Sequence, residues 1–315
     1  MLSFLIRRIL SAIPVLFVVS VLTFLILWLV PGDVSAELGG SDATPEQIQR
    51  IREQVGLDKP IWDRALIWYG NLLQGDLGHS WLLNRSVKDA VLERLPVTLS
   101  LSALALVVSV ICGMLLGVLA AMRHNTWIDR SAMVAALLGL SVPDFWLGVV
   151  LIILFGVSLG WLPTGGYVAF SEDIIGWARS MALPAMTLAI THMGIVARMT
   201  RSSMLDVLGQ DYIRTARAKG LPRRRIIFRH ALRNAMVPVL TTIGVSTGVL
   251  LSGAVVIETV FSLPGVGRLI VGSIQRRDFP IIQGGLLVTA AVFVFVNIVV
   301  DVLYGYFDPR IRDGR

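Results

Sequence analysis

Charged residues and cysteine are both scarce in this sequence. Only 16% of its 315 residues are Asp, Glu, Lys or Arg, whereas a soluble domain averages about 25%. That charge is too little for a surface that faces water on all sides. Cys112 is the only cysteine, which excludes a disulfide within the chain and a cysteine-rich metal site. The composition, with a mean hydropathy of +0.74, favours a protein of the membrane.

The shortage of lysine and histidine excludes further kinds of site. A Walker motif requires Gly-Lys followed by Ser or Thr, but the three lysines precede Pro60, Asp89 and Gly220. The chain therefore cannot bind and hydrolyse ATP through this motif on its own. The four histidines are scattered, with no carboxylate or cysteine at the spacing of metal ligands. We therefore predict no metal site and no cofactor.

Long apolar stretches are what the sequence has instead. A helix needs about 20 mostly apolar residues to cross the hydrocarbon core of a bilayer. Six stretches reach or approach this length: Ile9–Val30, Val97–Met122, Ser131–Gly156, Ser180–Ala197, Ala235–Ile257 and Ile281–Tyr304. The first is longer than the apolar region of a signal peptide and is predicted to remain as a span. The expected fold is all-α, a polytopic membrane protein with six transmembrane helices.

The connections between these spans alternate in charge. Lys and Arg concentrate in the short cytoplasmic segments of membrane proteins, and here basic residues exceed acidic ones at both termini and in the 2–3 and 4–5 connections. The 4–5 connection has ten basic residues against only Asp206 and Asp211. We therefore predict that both termini are cytoplasmic. The net charge of +7 lies beside apolar spans, so it favours membrane lipid over nucleic acid as a partner.

The first outward connection is long enough to fold by itself. Thr44 to Gln47 fits a helix-capping box, and Pro60–Leu73 and Ser86–Leu95 are further amphipathic stretches. We therefore predict an outward helical cap between spans 1 and 2. The predicted division is as follows: a first span over residues 1–30, an extracytoplasmic helical cap over 31–96, and a core of five spans over 97–315 with a loop of special interest at 198–234.

That loop contains the pattern of a short isolated helix. Asp211 can cap a helix that runs to about Lys219, Gly220 can supply a left-handed stop, and Pro222 can open the next helix. Small alanines beside Tyr212 and its neighbour Ile would give a compact apolar face flanked by charges. Such a face suits docking into a groove on another protein. A solvated basic loop that only sets topology would explain the same residues.

The stretch Tyr212-Ile-Arg-Thr-Ala-Arg-Ala-Lys-Gly220, followed by His230-Ala-Leu-Arg-Asn234, resembles the loop that permeases of peptide and nickel ABC importers present to their ATPases. The similarity continues through motifs along most of the chain: Pro31-Gly32-Asp33, Gly56-Leu57-Asp58, Gly75-Asp76-Leu77-Gly78, Ser141-Val142-Pro143, Arg198-x-x-Arg201-Ser202-Ser203-Met204, Glu258-Thr-Val-Phe261, Asp301-x-x-Tyr304 and Asp308-Pro309-Arg310. The resemblance implies an ATPase-coupling loop formed by these residues: Asp211, Tyr212, Arg214, Thr215, Ala216, Ala218, Lys219, Gly220, His230 and Asn234.

The resemblance also implies a function. It describes a permease subunit of a dipeptide/oligopeptide-type ABC importer, a multi-pass protein of the bacterial cytoplasmic (inner) membrane that is not itself an enzyme. The implied partners are a second related permease, two ABC ATPase subunits and an extracytoplasmic substrate-binding protein. The expected cargo is small peptides, with nickel, glutathione or oligosaccharide as alternatives. An ion-coupled secondary transporter is the alternative of another class, but the internal repeats typical of that class are not evident.

Three residues are candidates for the translocation path. Asp144 lies within the third stretch, where a carboxylate costs about 2.5–3.5 kcal/mol at the bilayer centre and needs a partner, water or a proton. It either lines the path, caps a helix broken at Pro143 or pairs with an arginine. Glu258 and Phe261 begin a Pro/Gly-containing outer loop that either gates the path or is an ordinary surface loop.

Arginines at the cytoplasmic end of the fourth span are expected to be structural. Arg198 and Arg201 are one turn apart, and we predict that they form ion pairs, as does Asp301 near the end of the sixth span. Gly244-Val-Ser246-Thr-Gly248 matches the nucleophile motif of hydrolases, but it lies in an apolar helix rather than after a strand. We therefore predict no catalytic residue.

Overall fold

The computed structural model describes residues 2–29, 35, 43–54 and 58–307. Within these residues, five helical segments are long and apolar enough to cross a membrane, and a bent pair of helices makes a sixth if it counts as one span. The all-α membrane fold is therefore confirmed. The exact span count, the cytoplasmic position of both termini and the outward position of the cap stay predictions.

Among the described residues before the turn at residue 123, the structure has five helices of six residues or more and one hairpin. The helices are α1 (Leu2–Leu29), α2 (Pro45–Gln54), α3 (Ile61–Leu73), α4 (Val87–Leu92) and α5 (Leu95–Met122). The hairpin consists of β1 (His79–Ser80) and β2 (Arg85–Ser86), which pair antiparallel with His79 opposite Ser86.

The described residues after this turn are helical apart from their connections. The helices are α6 (Trp127–Ser141), α7 (Asp144–Leu151, continued by π-helical Ile152–Ser158), α8 (Ile174–Leu208), α9 (Asp211–Ala218), α10 (Arg223–Arg225, continued by π-helical Ile226–Ala231), α11 (Leu232–Val260), α12 (Val266–Gln275) and α13 (Phe279–Phe307).

The predicted capping box is present at the start of α2. The backbone N–H of Thr44 donates to Oε1 of Gln47 at 2.8 Å, and the N–H of Gln47 donates to Oγ1 of Thr44 at 3.3 Å. Each side chain thus satisfies a backbone donor that the helix start leaves without a partner. The hairpin was not predicted, because two strands of two residues carry no readable alternation.

The third predicted span is not continuous, which corrects the prediction of one helix over Ser131–Gly156. The helices Trp127–Ser141 and Asp144–Ser158 meet at an angle of 104°. Val142 has φ −90° and ψ 127°, and Pro143 is also extended. A residue that precedes proline is pushed out of the helical region by the proline ring. The helix therefore ends at Ser141 and a new one begins at Asp144.

The fourth predicted span, Ser180–Ala197, is the middle of the longest helix, α8. Neighbouring helices approach α8 closely at glycines of α5. A Cβ added at Gly113 would lie 2.8 Å from Cβ of Val196, and one added at Gly117 would lie 2.6 Å from Cβ of Thr200. No real side chain fits at these distances. Small residues therefore allow two backbones to pack together, as is common between membrane helices.

The chain forms two compact units. One comprises the described residues within 1–5, 99–263 and 296–315, and the other comprises those within 6–98 and 264–295. The core of the second unit consists of apolar side chains from α4, α12 and α13: Val87, Ala90, Val91, Val266, Leu269, Ile270 and Ile281. The division into a first span, a cap and a five-span core stays a prediction.

Candidate functional site

The predicted short helix of the 4–5 connection is α9. It is eight residues long, and Gly220 follows it with φ +74°, a left-handed conformation that favours glycine. Gln210 occupies the position before the first turn, and its side chain makes no capping bond. The prediction that Asp211 caps the helix is therefore wrong. Asp211 is instead the first helical residue, where its negative charge is favourable to the helix dipole.

One face of α9 is turned into the protein and the other is open. Ile213 is fully buried and Ala216, one turn later, is half-buried. The exposed residues are Asp211, Tyr212, Arg214, Thr215, Arg217, Ala218 and Lys219. The apolar face predicted to include Ile213 is therefore split, because residues three apart share one side of a helix. Ile213 anchors the helix, and the open face is mostly polar.

Two further residues of the predicted loop lie beside α9. The Asn234 side-chain amide donates to the hydroxyl oxygen of Tyr212 at 2.7 Å, so α11 contacts the exposed face. His230 is half-buried in the π-helical turn before α11. At the other end, the N–H of Leu221 donates to the carbonyl of Ala216 at 3.2 Å, which closes the helix over its left-handed stop.

A cavity of about 500 Å³ adjoins the C-terminal end of α9. Its walls come from α5, α8, the end of α9 and the segment after α9: Ala121, Met122, Leu208, Arg217, Leu221, Arg223, Ile226 and Ile227. The Arg223 guanidinium donates to the carbonyl of Met122 at 3.1 Å. The segment that follows α9 is thus attached to the end of α5.

Arg201 forms an ion pair with a residue that the sequence did not single out. Its Nε and Nη2 donate to the two carboxylate oxygens of Asp129 at 2.5 and 2.7 Å. Arg198 is exposed and forms no ion pair with any residue that the structure describes. The side chain of Asp301 lies outside the described residues. The signal available for Asp129 was weak: a lone acid in a basic connection.

The three candidates for a path lie at the start of α7, within α11 and just after α11. Asp144 is the first residue of α7, and its carboxylate accepts a hydrogen bond of 2.5 Å from the hydroxyl of Thr191 on α8. Glu258 is fully buried within α11, and Phe261, which follows that helix, is 1% exposed. The outer loop predicted to begin at Glu258 is therefore only the short connection after Val260. The path roles stay predictions.

Within the described part of the chain, no three His, Cys, Asp or Glu side chains lie close enough together to hold a metal ion.

Asp278, which contacts the hairpin, is a structural group. Asp278 is buried and accepts a hydrogen bond of 2.5 Å from the hydroxyl of Ser80. Burial raises the pKa of Asp278, and the hydrogen bonds from Ser80 and from the Ile281 N–H partly oppose that shift.

Comparison with known proteins covers the whole chain. The family model "binding-protein-dependent transport system inner membrane component" matches residues 113–313, and the model of the N-terminal part of such components matches residues 1–102. A protein of Brucella abortus (strain 2308) named as a peptide transport system permease is 47% identical over 99% of both chains. The di/tripeptide permease DppB of Pseudomonas aeruginosa (strain UCBPP-PA14) is 43% identical over all of both chains.

A third relative is named for a different cargo. The glutathione transport system permease GsiC of Escherichia coli (strain K12) is 43% identical over 99% of both chains. Among solved structures, the inward-facing MetNI methionine ABC transporter aligns with a TM-score of 0.56 and 17% identity, over 69% of this chain and 95% of that one. At this identity the structural match supports the fold alone.

These matches confirm the resemblance that the sequence motifs indicated. The family functions with partner components such as an ATPase and a substrate-binding protein, and its members are transport components rather than enzymes. A multi-pass position in the cytoplasmic membrane agrees with the long apolar helices. The chain therefore belongs to the binding-protein-dependent transport system inner membrane components and is a permease subunit of an ABC importer.

Proposed function

We propose that this permease imports small peptides and that α9 is the element that docks into a partner ATPase. The observation that carries the docking proposal is the arrangement of α9. It is a short helix between two long ones, held from inside by Ile213, ended by Gly220, and exposed along a mostly polar face. A helix presented in this way can fill a groove on another protein.

The cargo proposal is supported by the names of the relatives. They refer to peptides, to di- and tripeptides and to glutathione, which is itself built from three amino acids. Nickel and oligosaccharide share none of this chemistry and are the less favoured cargoes. Peptide and glutathione differ in the linkage of the first residue, so a transport assay separates them.

The proposed mechanism is alternating access. Closure of two ATPases on ATP would displace α9, and α8 and α11, which lead into and out of this segment, would carry the displacement into the membrane. Each ATPase needs a docking helix, and a second, related permease would supply the other. We further propose that residues 31–96 form the outward cap that receives the binding protein, with a first span over 1–30 and the transport core over 97–315.

Asp144 is our candidate for a contact with the cargo. It begins α7 at the bend of the third span, and it forms no ion pair with a residue that the structure describes. This arrangement supports a path role over a structural pair with arginine. A peptide has a cationic amino group that a carboxylate can attract.

Uptake by intact cells tests the proposal. Labelled dipeptide, glutathione and nickel are offered to cells that lack the chain and to complemented cells. We expect dipeptide uptake to be lost in the first and restored in the second. Uptake of nickel alone, or of glutathione alone, that depends on the chain would assign the cargo to the corresponding alternative.

Two variants at the C-terminal end of α9 test docking. Gly220→Pro is incompatible with φ +74° because proline requires φ near −65°, and Ala218→Arg adds a large cation to the open face. We expect both to abolish transport and copurification of the ATPases at normal membrane abundance. Gly209→Ala is the matched control, since Gly209 has φ −80° and no atom within 3.4 Å of an added Cβ. Normal transport by both end variants would contradict the docking role.

A further inference from the structure

Asp129 connects the turn between α5 and α6 with α8. Both of its oxygens accept hydrogen bonds from Arg201, and one also accepts the Asn125 N–H at 3.0 Å and lies 3.3 Å from Nδ1 of His124. The residue is 2% exposed. A planar guanidinium that binds both oxygens of a carboxylate fixes orientation as well as distance. The turn and α8 are therefore held in one relative orientation.

The turn itself has a defined conformation. Asn125 is left-handed, with φ +62°, and the hydroxyl of Thr126 donates to the carbonyl of Arg123. The Asp129 side chain reaches back to the Asn125 N–H, a local bond that closes the turn against the first turn of α6. A force applied to Asp129 through Arg201 thus acts on the beginning of α6.

The turn between α5 and α6 also contacts the segment that follows α9 in the chain. Arg201 lies on α8, two turns before that helix ends, and Arg223 lies just after the glycine stop. Arg223 binds the carbonyl of Met122, the last residue of α5. Arginines on both sides of the docking helix thus contact the segment Met122–Asp129, which we call the arginine-held turn.

This segment leads directly into the bent pair of helices. A displacement of α9 reaches α6 through the arginine-held turn, and α6 continues to the bend and to Asp144 at the start of α7. Close packing keeps this connection stiff, since a Cβ at Gly139 of α6 would lie 3.1 Å from the carbonyl of Ile190 on α8. Densely packed elements transmit displacement instead of absorbing it.

We propose that Asp129 is a positioning residue that transmits the movement of α9 to the bent span, an inference that rests on the proposed docking role of α9. It acts through Arg201 and touches neither ATP nor cargo. Loss of its charge therefore leaves ATPase binding and hydrolysis in place and lowers the number of cargo molecules moved per ATP.

The test uses the complete complex, with its ATPases and binding protein, in proteoliposomes. For Asp129→Asn we expect ATPases that copurify as in the wild type and a ratio of transported cargo to hydrolysed ATP that is lower by about tenfold, the size of a typical coupling between sites. Arg201→Lys keeps the charge but loses the two-pronged contact, and we expect an intermediate ratio. It also provides the test if the Asn variant does not accumulate.

Arg130→Gln is the matched control, because it removes an exposed charge next to Asp129 and should leave the ratio unchanged. A purely structural role would lower the yield of complex and leave the ratio at the wild-type value in both variants, and that result would overturn the proposal. Loss of ATPase binding in Asp129→Asn would also overturn it. Failure of the docking proposal gives a different result: Ala218→Arg would then bind the ATPases and transport cargo normally.

Discussion

Two regions of this chain differ in whether their polar side chains are exposed to water or buried and hydrogen-bonded. In α9, the proposed docking helix, the charges face water: the side chains of Asp211 and Arg214 are 94% and 75% exposed, and their contact is a long 3.4 Å. At the hairpin corner, which we define as β1 and β2 with α4, the first turn of α5, α12 and residues 278–282, three polar side chains are buried and hydrogen-bonded. The Ser80 hydroxyl binds Asp278 there, and Thr98 accepts the Val266 N–H at 2.9 Å.

The two regions also differ in apolar packing, since the hairpin corner buries more apolar side chains than α9 does. One fully buried side chain, Ile213, belongs to α9, whereas seven buried apolar residues form the core of the hairpin corner. The two regions therefore satisfy their polar groups in different ways. A surface that binds a partner keeps its polar groups hydrated until the partner replaces the water, while a rigid corner must satisfy them internally, because a buried polar group without a bond is costly.

The largest effect is expected where α9 depends on a single anchor. Ile213→Ala should destabilise the packing of α9 by about 2–5 kcal/mol, the usual cost of truncating a buried aliphatic side chain. Trypsin digestion of the purified permease measures this, because Arg214, Arg217 and Lys219 become cleavable when α9 detaches. We expect cleavage there to accelerate strongly.

Thr215→Ala is the control for this digestion. Thr215 is exposed, and its hydroxyl only returns to the carbonyl of Asp211 in the same helix. Its removal should leave the cleavage rate close to that of the wild type. An unchanged rate in Ile213→Ala would show that α9 is held by other contacts and would remove the contrast with the hairpin corner.

A smaller effect is expected for removal of one bonded polar group at the hairpin corner. Asp278→Ala leaves the buried Ser80 hydroxyl and the Ile281 N–H without their acceptor. The expected loss is about 1–3 kcal/mol of unfolding free energy, seen as a lower midpoint of thermal denaturation in detergent. The equivalent change in α9, Asp211→Ala, should not move the midpoint. Equal shifts in both variants would contradict the difference between the regions.

The smallest effect is a pH dependence. Burial raises the pKa of Asp278 above its ordinary value of 3.8, so the folded protein holds this proton more tightly than the unfolded chain. The contribution of this proton to the free energy of unfolding is fully present below pH 3.8. It is lost as the pH rises through the pKa of Asp278 in the folded protein. The thermal midpoint of the wild type, relative to that of Asp278→Asn, should therefore fall as pH rises above 3.8. A constant difference would exclude this shift.

The sequence predicted the features that depend on local chemistry. The capping box at Thr44, the length of α9 and the stop at Gly220 follow from side chains and backbone preferences within a few residues. The bend at Pro143 is one of three alternatives that the sequence leaves open for Asp144, although the residue before a proline disfavours a helix. A proline in the sequence does not by itself predict that a membrane helix is broken, because Pro184 and Pro238 lie inside unbroken helices.

Long-range contacts could not be predicted in the same way. Nothing near Asp129 indicates that its partner is Arg201, 72 residues later, because that pairing depends on how α6 packs against α8. The direction in which Ile213 points was misjudged for the same reason. An isolated amphipathic helix has no inside until other elements cover one of its faces.

By itself, the sequence determined that this chain is a helical membrane protein, that it lacks the Walker motif and that it belongs with ABC importer permeases. These properties follow from apolar length, residue content and contiguous motifs, which need no folding to be read. The tertiary structure alone decided that Ile213 is an anchor, that Glu258 and Phe261 are buried and that two arginines hold the turn before α6. Each of these depends on residues far apart in sequence, which become neighbours only when the helices pack.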